Sequence, residues 1–137
     1  MLISADVNII QYLTIATIGN TLDFGNLSTI RGAGSSCSNS TRGIFAGGYN
    51  PNAPRIDFIT IASNGNSTSF GDLSVARNNL TGCSSTTRGV FAGGNTPTAT
   101  NAIDYITILS AGNAIDFGDL LTAQARMGGF SNAHGGL

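Results

Sequence analysis

The chain is built around two neighbouring stretches, Thr87–Gly94 and Ile103–Ile108, which read Thr-Arg-Gly-Val-Phe-Ala-Gly-Gly and Ile-Asp-Tyr-Ile-Thr-Ile. Both are rich in β-branched and aromatic residues, and the first ends in a glycine pair, so the sequence predicts two β-strands joined by a polar connection. Similar text occurs earlier, at Thr41–Gly48 and Ile56–Ile61, and a diverged copy of the second run stands at Ile10–Ile15. The chain is therefore an internal repeat.

Each repeat carries further strand signals. A Gly-Asn dipeptide follows every second run and predicts a hairpin to a short returning strand that ends in another turn. A strand of small residues comes next, at Ser35–Ser38, Leu80–Ser84 and Met127–Ser131. Four short strands in about 47 residues match the period of one propeller blade. We expect an all-β fold, a β-propeller with about three four-stranded blades per chain, in units of approximately 1–47, 48–94 and 95–137.

The composition agrees with a fold made of strands and turns. Lys, Glu and Trp are absent, and charged residues make up 9% of the chain, against roughly 25% in ordinary soluble domains. Without Glu and Lys, long solvent-facing helices are not expected. The formal net charge of −1 gives no field that would attract nucleic acid, and no run reaches the roughly 18 apolar residues of a membrane span. We therefore expect neither nucleic-acid binding nor membrane insertion.

The apolar positions of the predicted strands define the expected core. These residues are Phe45, Phe58, Ile59, Ile61, Phe91, Tyr105, Ile106 and Ile108, which we expect between adjacent blades. The small-residue strands are expected to line a central channel, where space is short. Cys37 and Cys83 stand there at equivalent positions, and Phe130 replaces them in the third copy. The sequence leaves a disulfide open but favours two reduced thiols that pack as small apolar groups.

The unit resembles the kelch repeat, in which a strand ends in Gly-Gly, an aromatic opens the next strand, and an arginine leads into the following blade. Here the strand ends at Gly93-Gly94, and Tyr105 is the aromatic of the next strand. Phe117 is an aromatic on the outer strand, and Arg77 leads from the preceding blade into this one. The phrases around Ile103–Ile108, together with the ending Ser-Asn-Ala-His-Gly-Gly-Leu, are also similar to kelch-like repeats in virion proteins of tailed bacteriophages from aquatic environments. This resemblance implies a virion or virion-attached β-propeller, with no catalytic or cofactor residues to carry over. We expect the chain in the virion or outside the cell, and we expect no tightly held metal.

Four arginines at repeated positions are the candidate site residues: Arg31, Arg42, Arg77 and Arg88. One interpretation is that each satisfies loop carbonyls or a nearby Asp, and the other is a ring of guanidinium groups that binds an anion or an acidic sugar. The repeated Asp57 and Asp104 are interpreted as bonding local backbone N–H groups. The single histidine, His134, is expected to be exposed. We expect no enzyme, because no nucleophile and base are paired in the pattern.

The function expected from these observations is a non-enzymatic structural or adhesive propeller of a phage virion, which binds host-surface glycan or another virion protein. The alternatives are a cellular kelch-type protein-interaction module and a propeller-type glycan-active enzyme. Propellers hold roughly 4–8 blades, so three cannot close a ring. The repeats align Leu137 with Val90 and Met1 with Gly94. We therefore expect a homo-oligomer, most simply a homodimer of six blades.

Overall fold

The structure is a computed structural model that describes the backbone of residues 2–3 and the residues 7–49 and 51–132. All regular elements in these ranges are β-strands, as predicted, and they form antiparallel sheets. The same ranges hold no helix long and apolar enough to cross a membrane.

The strands form three sheets that follow the repeats. Sheet 1 has the order β1-β2-β3, with β1 (Leu2–Ile3), β2 (Ile9–Tyr12) and β3 (Leu22–Asn26). Sheet 2 has the order β4-β5-β6-β7, with β4 (Ser35–Ser38), β5 (Arg42–Ala46), β6 (Arg55–Thr60) and β7 (Thr68–Asp72). Sheet 3 has the order β8-β9-β10-β11, with β8 (Thr81–Ser84), β9 (Arg88–Ala92), β10 (Ala102–Thr107) and β11 (Ile115–Asp119).

The returning strands β3, β7 and β11 are longer than predicted. The sequence predicts a turn directly after Phe24, Phe70 and Phe117, but each strand continues for two more residues through a register shift against its neighbour. Such a bulge lets an extra residue enter the strand without ending it. The aromatic residue at the bulge packs edge-to-face against the aromatic of the preceding strand, with ring centroids 5.8–6.1 Å apart.

Neighbouring sheets meet at two seams, the first between sheets 1 and 2 and the second between sheets 2 and 3. At each seam a hairpin turn approaches the glycine of the preceding bulge. The Gly65 N–H donates to Phe24 O at the first seam, and the Gly112 N–H donates to Phe70 O at the second, both at 2.8 Å. A Cβ on Gly71, whose φ is +157°, would lie 2.2 Å from Gly112 O. This close approach explains why Gly25 and Gly71 are glycines at the two seams.

The core lies in the two seams. One buried cluster joins sheets 2 and 3 around Phe91, and the other joins sheets 1 and 2 around Ile10. The predicted burial is confirmed for Phe45, Ile59, Phe91, Ile106 and Ile108.

Three residues of the predicted core are more exposed than expected. Phe58 and Tyr105 are half-buried, because each also faces an arginine on the surface side of its sheet. Ile61 is 41% exposed, whereas its repeat equivalent Ile108 is fully buried. Ile108 belongs to the cluster that includes residues of β4 and β5 in sheet 2. Among the described residues, sheet 1 has the two-residue β1 in place of β5 and no strand in place of β4, so Ile61 is less covered.

Two expectations about the ends of the repeat are wrong. Leu2 pairs with Gln11 as Phe45 pairs with Asp57, so Leu2 takes the place of Phe45 and Phe91, and Met1 does not match Gly94. Met127–Ser131 is not a strand, because β4 and β8 are strands through pairing with β5 and β9, and no strand in the described part of the chain pairs with this segment. It still lies beside β8, where the Ser131 hydroxyl donates to Ser84 O.

Candidate functional site

Arg31 and Arg77 form buried ion pairs across the seams. Arg31 Nη2 lies 2.9 Å from Asp57 Oδ2 at the first seam, and Arg77 Nη2 lies 3.2 Å from Asp104 Oδ2 at the second. These four side chains are at most 3% exposed. The remaining donors of Arg31 reach the carbonyls of Phe45 and Arg55. In the single chain these two arginines thus bond a carbonyl and an Asp, as the first of the two interpretations expects, and both guanidinium groups are buried.

A serine completes each ion pair. The Ser28 hydroxyl donates to Asp57 and the Ser74 hydroxyl donates to Asp104, both at 2.7 Å, and Ser74 N–H adds a second bond to that carboxylate. The interpretation that these aspartates bond local backbone is wrong, because their partners lie 29 and 30 residues away, on the neighbouring sheet.

Electrostatics favour keeping these groups together. Burial lowers the pKa of Arg31, and the adjacent Asp57 carboxylate acts in the opposite direction. The pKa of Arg77 is lowered by burial and raised by Asp104 in the same way. Removing one partner of such a pair leaves an uncompensated buried charge, which is strongly destabilising. We call each such group the seam triad: Ser28, Arg31 and Asp57 at the first seam, and Ser74, Arg77 and Asp104 at the second. Its hydrogen bonds and its ion pair join two neighbouring sheets.

Arg42 and Arg88 occupy the other predicted position, at the start of β5 and β9. The guanidinium of Arg42 lies 4.3 Å from the centre of the Phe58 ring, and that of Arg88 lies 4.9 Å from the Tyr105 ring. Arg42 also donates to Ile108 O of the next sheet at 3.0 Å and is half-buried, whereas Arg88 is exposed. Arg42 and Arg88 are thus more accessible than Arg31 and Arg77, and a ligand role for the four arginines stays a prediction.

A cleft of about 640 Å³ opens at the inner edges of the sheets. It is lined by β4, part of β5, β8, the Gly129–Ser131 segment and the aromatic pair of sheet 1. The Ser84 hydroxyl donates to Ser38 O at 2.7 Å, so β4 and β8 lie side by side along one wall. Phe130 lines the cleft and is 95% exposed. The small-residue strands β4 and β8 thus share one surface, and their place beside a central channel stays a prediction.

The two cysteines of the cleft are free thiols. Burial raises the pKa of Cys37 to about 12, with a smaller contribution from Cys83. A thiol that keeps its proton at neutral pH is a weak nucleophile and a weak metal ligand. Cys37 also packs against the core cluster of the second seam. Within residues 7–49 and 51–132, no three His, Cys, Asp or Glu side chains converge as a metal site would require. His134 lies outside the described residues.

Comparison with known proteins adds no family assignment. No protein-family model and no curated protein sequence matches the chain.

Proposed function

We propose that this chain is a non-enzymatic structural or adhesive module of a phage virion, in which the three sheets are kelch-like blades of a β-propeller. The observation that carries the proposal is the repetition of one seam. The two seams share their backbone bonds, their bulge glycine and their triad, residue by residue. A contact that repeats in this way adds blades around an axis, which is how propellers grow.

The proposed ring is completed by association, most simply as a homodimer of six blades. Each sheet covers the apolar face of its neighbour, so the outer faces of sheets 1 and 3 are left without a cover among the described residues. Exposed apolar faces of this kind mark association surfaces. Two copies of three blades fall within the usual range of roughly 4–8 blades, and a dimer is the commonest oligomer.

Ligand binding is proposed for the loops that follow the glycine pairs. Residues 49–55 and 95–102 differ almost completely in sequence, while the strands around them are nearly identical. Variable loops on a constant scaffold are where binding residues are usually found. Tyr49 in the first loop is 59% exposed and is suited to stacking against a sugar ring. The expected ligands are host-surface glycan or another virion protein.

A structural role fits the chemistry of the cleft better than catalysis does. Among the described residues, the side chains there with nucleophilic atoms are serines, cysteines and Tyr12, and the Cys37 thiol is held protonated. Activation of a nucleophile requires an adjacent base or a lowered pKa, and burial works against both at Cys37.

The test combines location and binding. Particles purified from the phage that encodes the chain should contain its peptides, and the labelled chain should bind host cells or a glycan array saturably. The matched control replaces residues 49–54 and 95–101 with Gly-Ser linkers of equal length and leaves β6 and β10 intact, so it should abolish ligand binding while the β-sheet circular dichroism is unchanged. Absence from the particles would contradict the virion proposal, and equal binding by the linker variant would contradict the loop assignment.

A further inference from the structure

The seam triad changes at the two outer faces of the chain, and it changes in all its members. We call the outer surface of sheet 3 the C-terminal face and that of sheet 1 the N-terminal face. On the C-terminal face, Leu121 stands where the seams have Ser28 and Ser74, and Gln124 stands where they have Arg31 and Arg77. On the N-terminal face, Gln11 stands where they have Asp57 and Asp104.

These replacements are matched in charge. A C-terminal face that kept its arginine would place a buried cation against Gln11, and an N-terminal face that kept its aspartate would place a buried anion against Gln124. Either single charge would be costly to bury. With both charges removed, two amides meet, and each supplies a donor and an acceptor. The two faces therefore fit each other and fit the internal seams poorly.

The two faces also carry the two backbone features that meet at a seam, a bulge glycine and a hairpin turn. At the seams the bulge glycine touches the hairpin turn of the next sheet, but a Cβ on Gly118 would meet nothing within 4 Å, although Gly118 also has a positive φ, of +135°. The matching hairpin turn of sheet 1 begins at Gly19, the repeat equivalent of Gly65 and Gly112, whose N–H groups donate across the two seams. Among the described residues, Gly118 is therefore the bulge glycine with no hairpin turn against it, and Gly19 begins the hairpin turn that no bulge glycine contacts.

The apolar side chains repeat this pattern. Phe117 is 55% exposed, while Phe70 at the second seam is 4% exposed. Leu13 on the opposite face is 43% exposed, while its equivalent Ile59 is 2% exposed. Leu121, which replaces the serine, is fully exposed and adds apolar surface where the polar triad has been removed.

We infer that the C-terminal face of one copy docks on the N-terminal face of a second copy, with Gln124 of the first meeting Gln11 of the second. This inference rests on the proposed ring and adds its selectivity. The neutral Gln–Gln contact directs the end faces to each other and away from the charged internal seams. A ring of two copies contains two such contacts, and both are identical.

The experiment uses Gln11→Asp and Gln124→Arg in the full chain, first separately and then mixed. Each single variant places one unpaired charge in both contacts, so its dimer should be on the order of 100-fold weaker than wild type. In an equimolar mixture, the mixed dimer has one Gln–Gln contact and one Arg–Asp contact, so dimerisation should return. The chain with both substitutions should dimerise without mixing. Both positions are exposed in the single copy, so the circular dichroism of the variants should match wild type.

Analytical ultracentrifugation separates the outcomes. Dimerisation on mixing, from two variants that are monomeric alone, supports the head-to-tail contact. A wild-type dimer that is insensitive to both substitutions, or that mixing fails to restore, overturns the inference while leaving the proposed ring intact. A wild-type monomer overturns the ring and the inference together, and neither result bears on the ligand-binding test of the loops.

Discussion

The second seam and the C-terminal face present nearly the same residues in two different environments. Phe70 and Gly71 lie against the hairpin of sheet 3, and Phe117 and Gly118 occupy equivalent positions with no sheet beside them among the described residues. The strand, the bulge and the aromatic pair are preserved in both places. Local sequence thus specifies each sheet, but burial comes from the neighbour. A sheet of this chain is complete only when another sheet covers it.

The largest difference in stability between the two regions is expected from a β-branched side chain at the bulge glycine. Gly71→Val would drive its Cβ into the Gly112 carbonyl and hold valine at a φ of +157°. Strain and overpacking cost up to ~3 kcal/mol each, so we expect a loss of up to ~6 kcal/mol in the free energy of unfolding, measured by urea titration. Gly118→Val, compared at protein concentrations where the chain is a monomer, is the matched control and should carry the strain term alone. Equal losses at both positions would mean that the seam does not set the glycine requirement.

Removing one charge of the triad should have the next largest effect. Asp104→Asn leaves the fully buried Arg77 without its carboxylate. Breaking a buried pair in this way costs about 3–5 kcal/mol, again measured by chemical denaturation. Asp119→Asn removes the same charge from an exposed position of the same sheet and should change stability by less than about 0.5 kcal/mol. If Asp104→Asn left the free energy of unfolding unchanged, the triad would contribute little to the stability of the seam.

The two equivalent phenylalanines separate folding from association. Phe70→Ala should lower the free energy of unfolding by about 3–5 kcal/mol at every protein concentration, because the ring is buried within one chain. Phe117→Ala should remove only the contact with Tyr105, about 1 kcal/mol, where the chain is a monomer, and should cost more at concentrations where wild type is a dimer, because a second copy then covers the rest of the ring. Thermal unfolding at a series of protein concentrations distinguishes the two. A concentration-independent loss for Phe117→Ala would argue against its role in association.

The smallest expected effect concerns the buried thiol. An unfolded thiol releases its proton near pH 9.0, whereas the folded chain raises the pKa of Cys37 to about 12. The folded state therefore binds the extra proton between these values, and its stability should fall as the pH rises above about 9. Cys37→Ala should flatten that dependence, measured as the change in unfolding free energy from about pH 8 to about pH 10. A slope that is unchanged in the variant would assign the dependence to other groups.

Much of the fold can be predicted from the repeat. The internal similarity locates the strands and hairpins, because each copy provides an independent observation of the same pattern. The bulge escapes prediction because Gly25 and Asn26 also suit a turn, and only the hairpin of the next sheet shows why the strand continues. The exposure of Ile61 could not be predicted for a related reason, because strand periodicity does not report whether the neighbouring sheet is complete.

The site is less predictable than the fold. The repeat locates Arg31 and Arg77, but their aspartate partners lie 26 and 27 positions away in sequence, on the next sheet, and no local spacing indicates that pairing. A signal is nevertheless present in the sequence. The copy that loses its arginine, at Gln124, also loses its serine, and the copy that lacks the aspartate has Gln11 in its place. Joint replacement of this kind across the repeats links the members of the triad without any information on their distances.

The solution mass of the chain tests the central claim most directly. If the outer faces of sheets 1 and 3 are two halves of one seam, two copies should close a ring. Light scattering coupled to size exclusion at micromolar concentration should therefore give twice the chain mass of 13.9 kDa. A stable species of 13.9 kDa would contradict the account, and a trimer would contradict the ring of six blades.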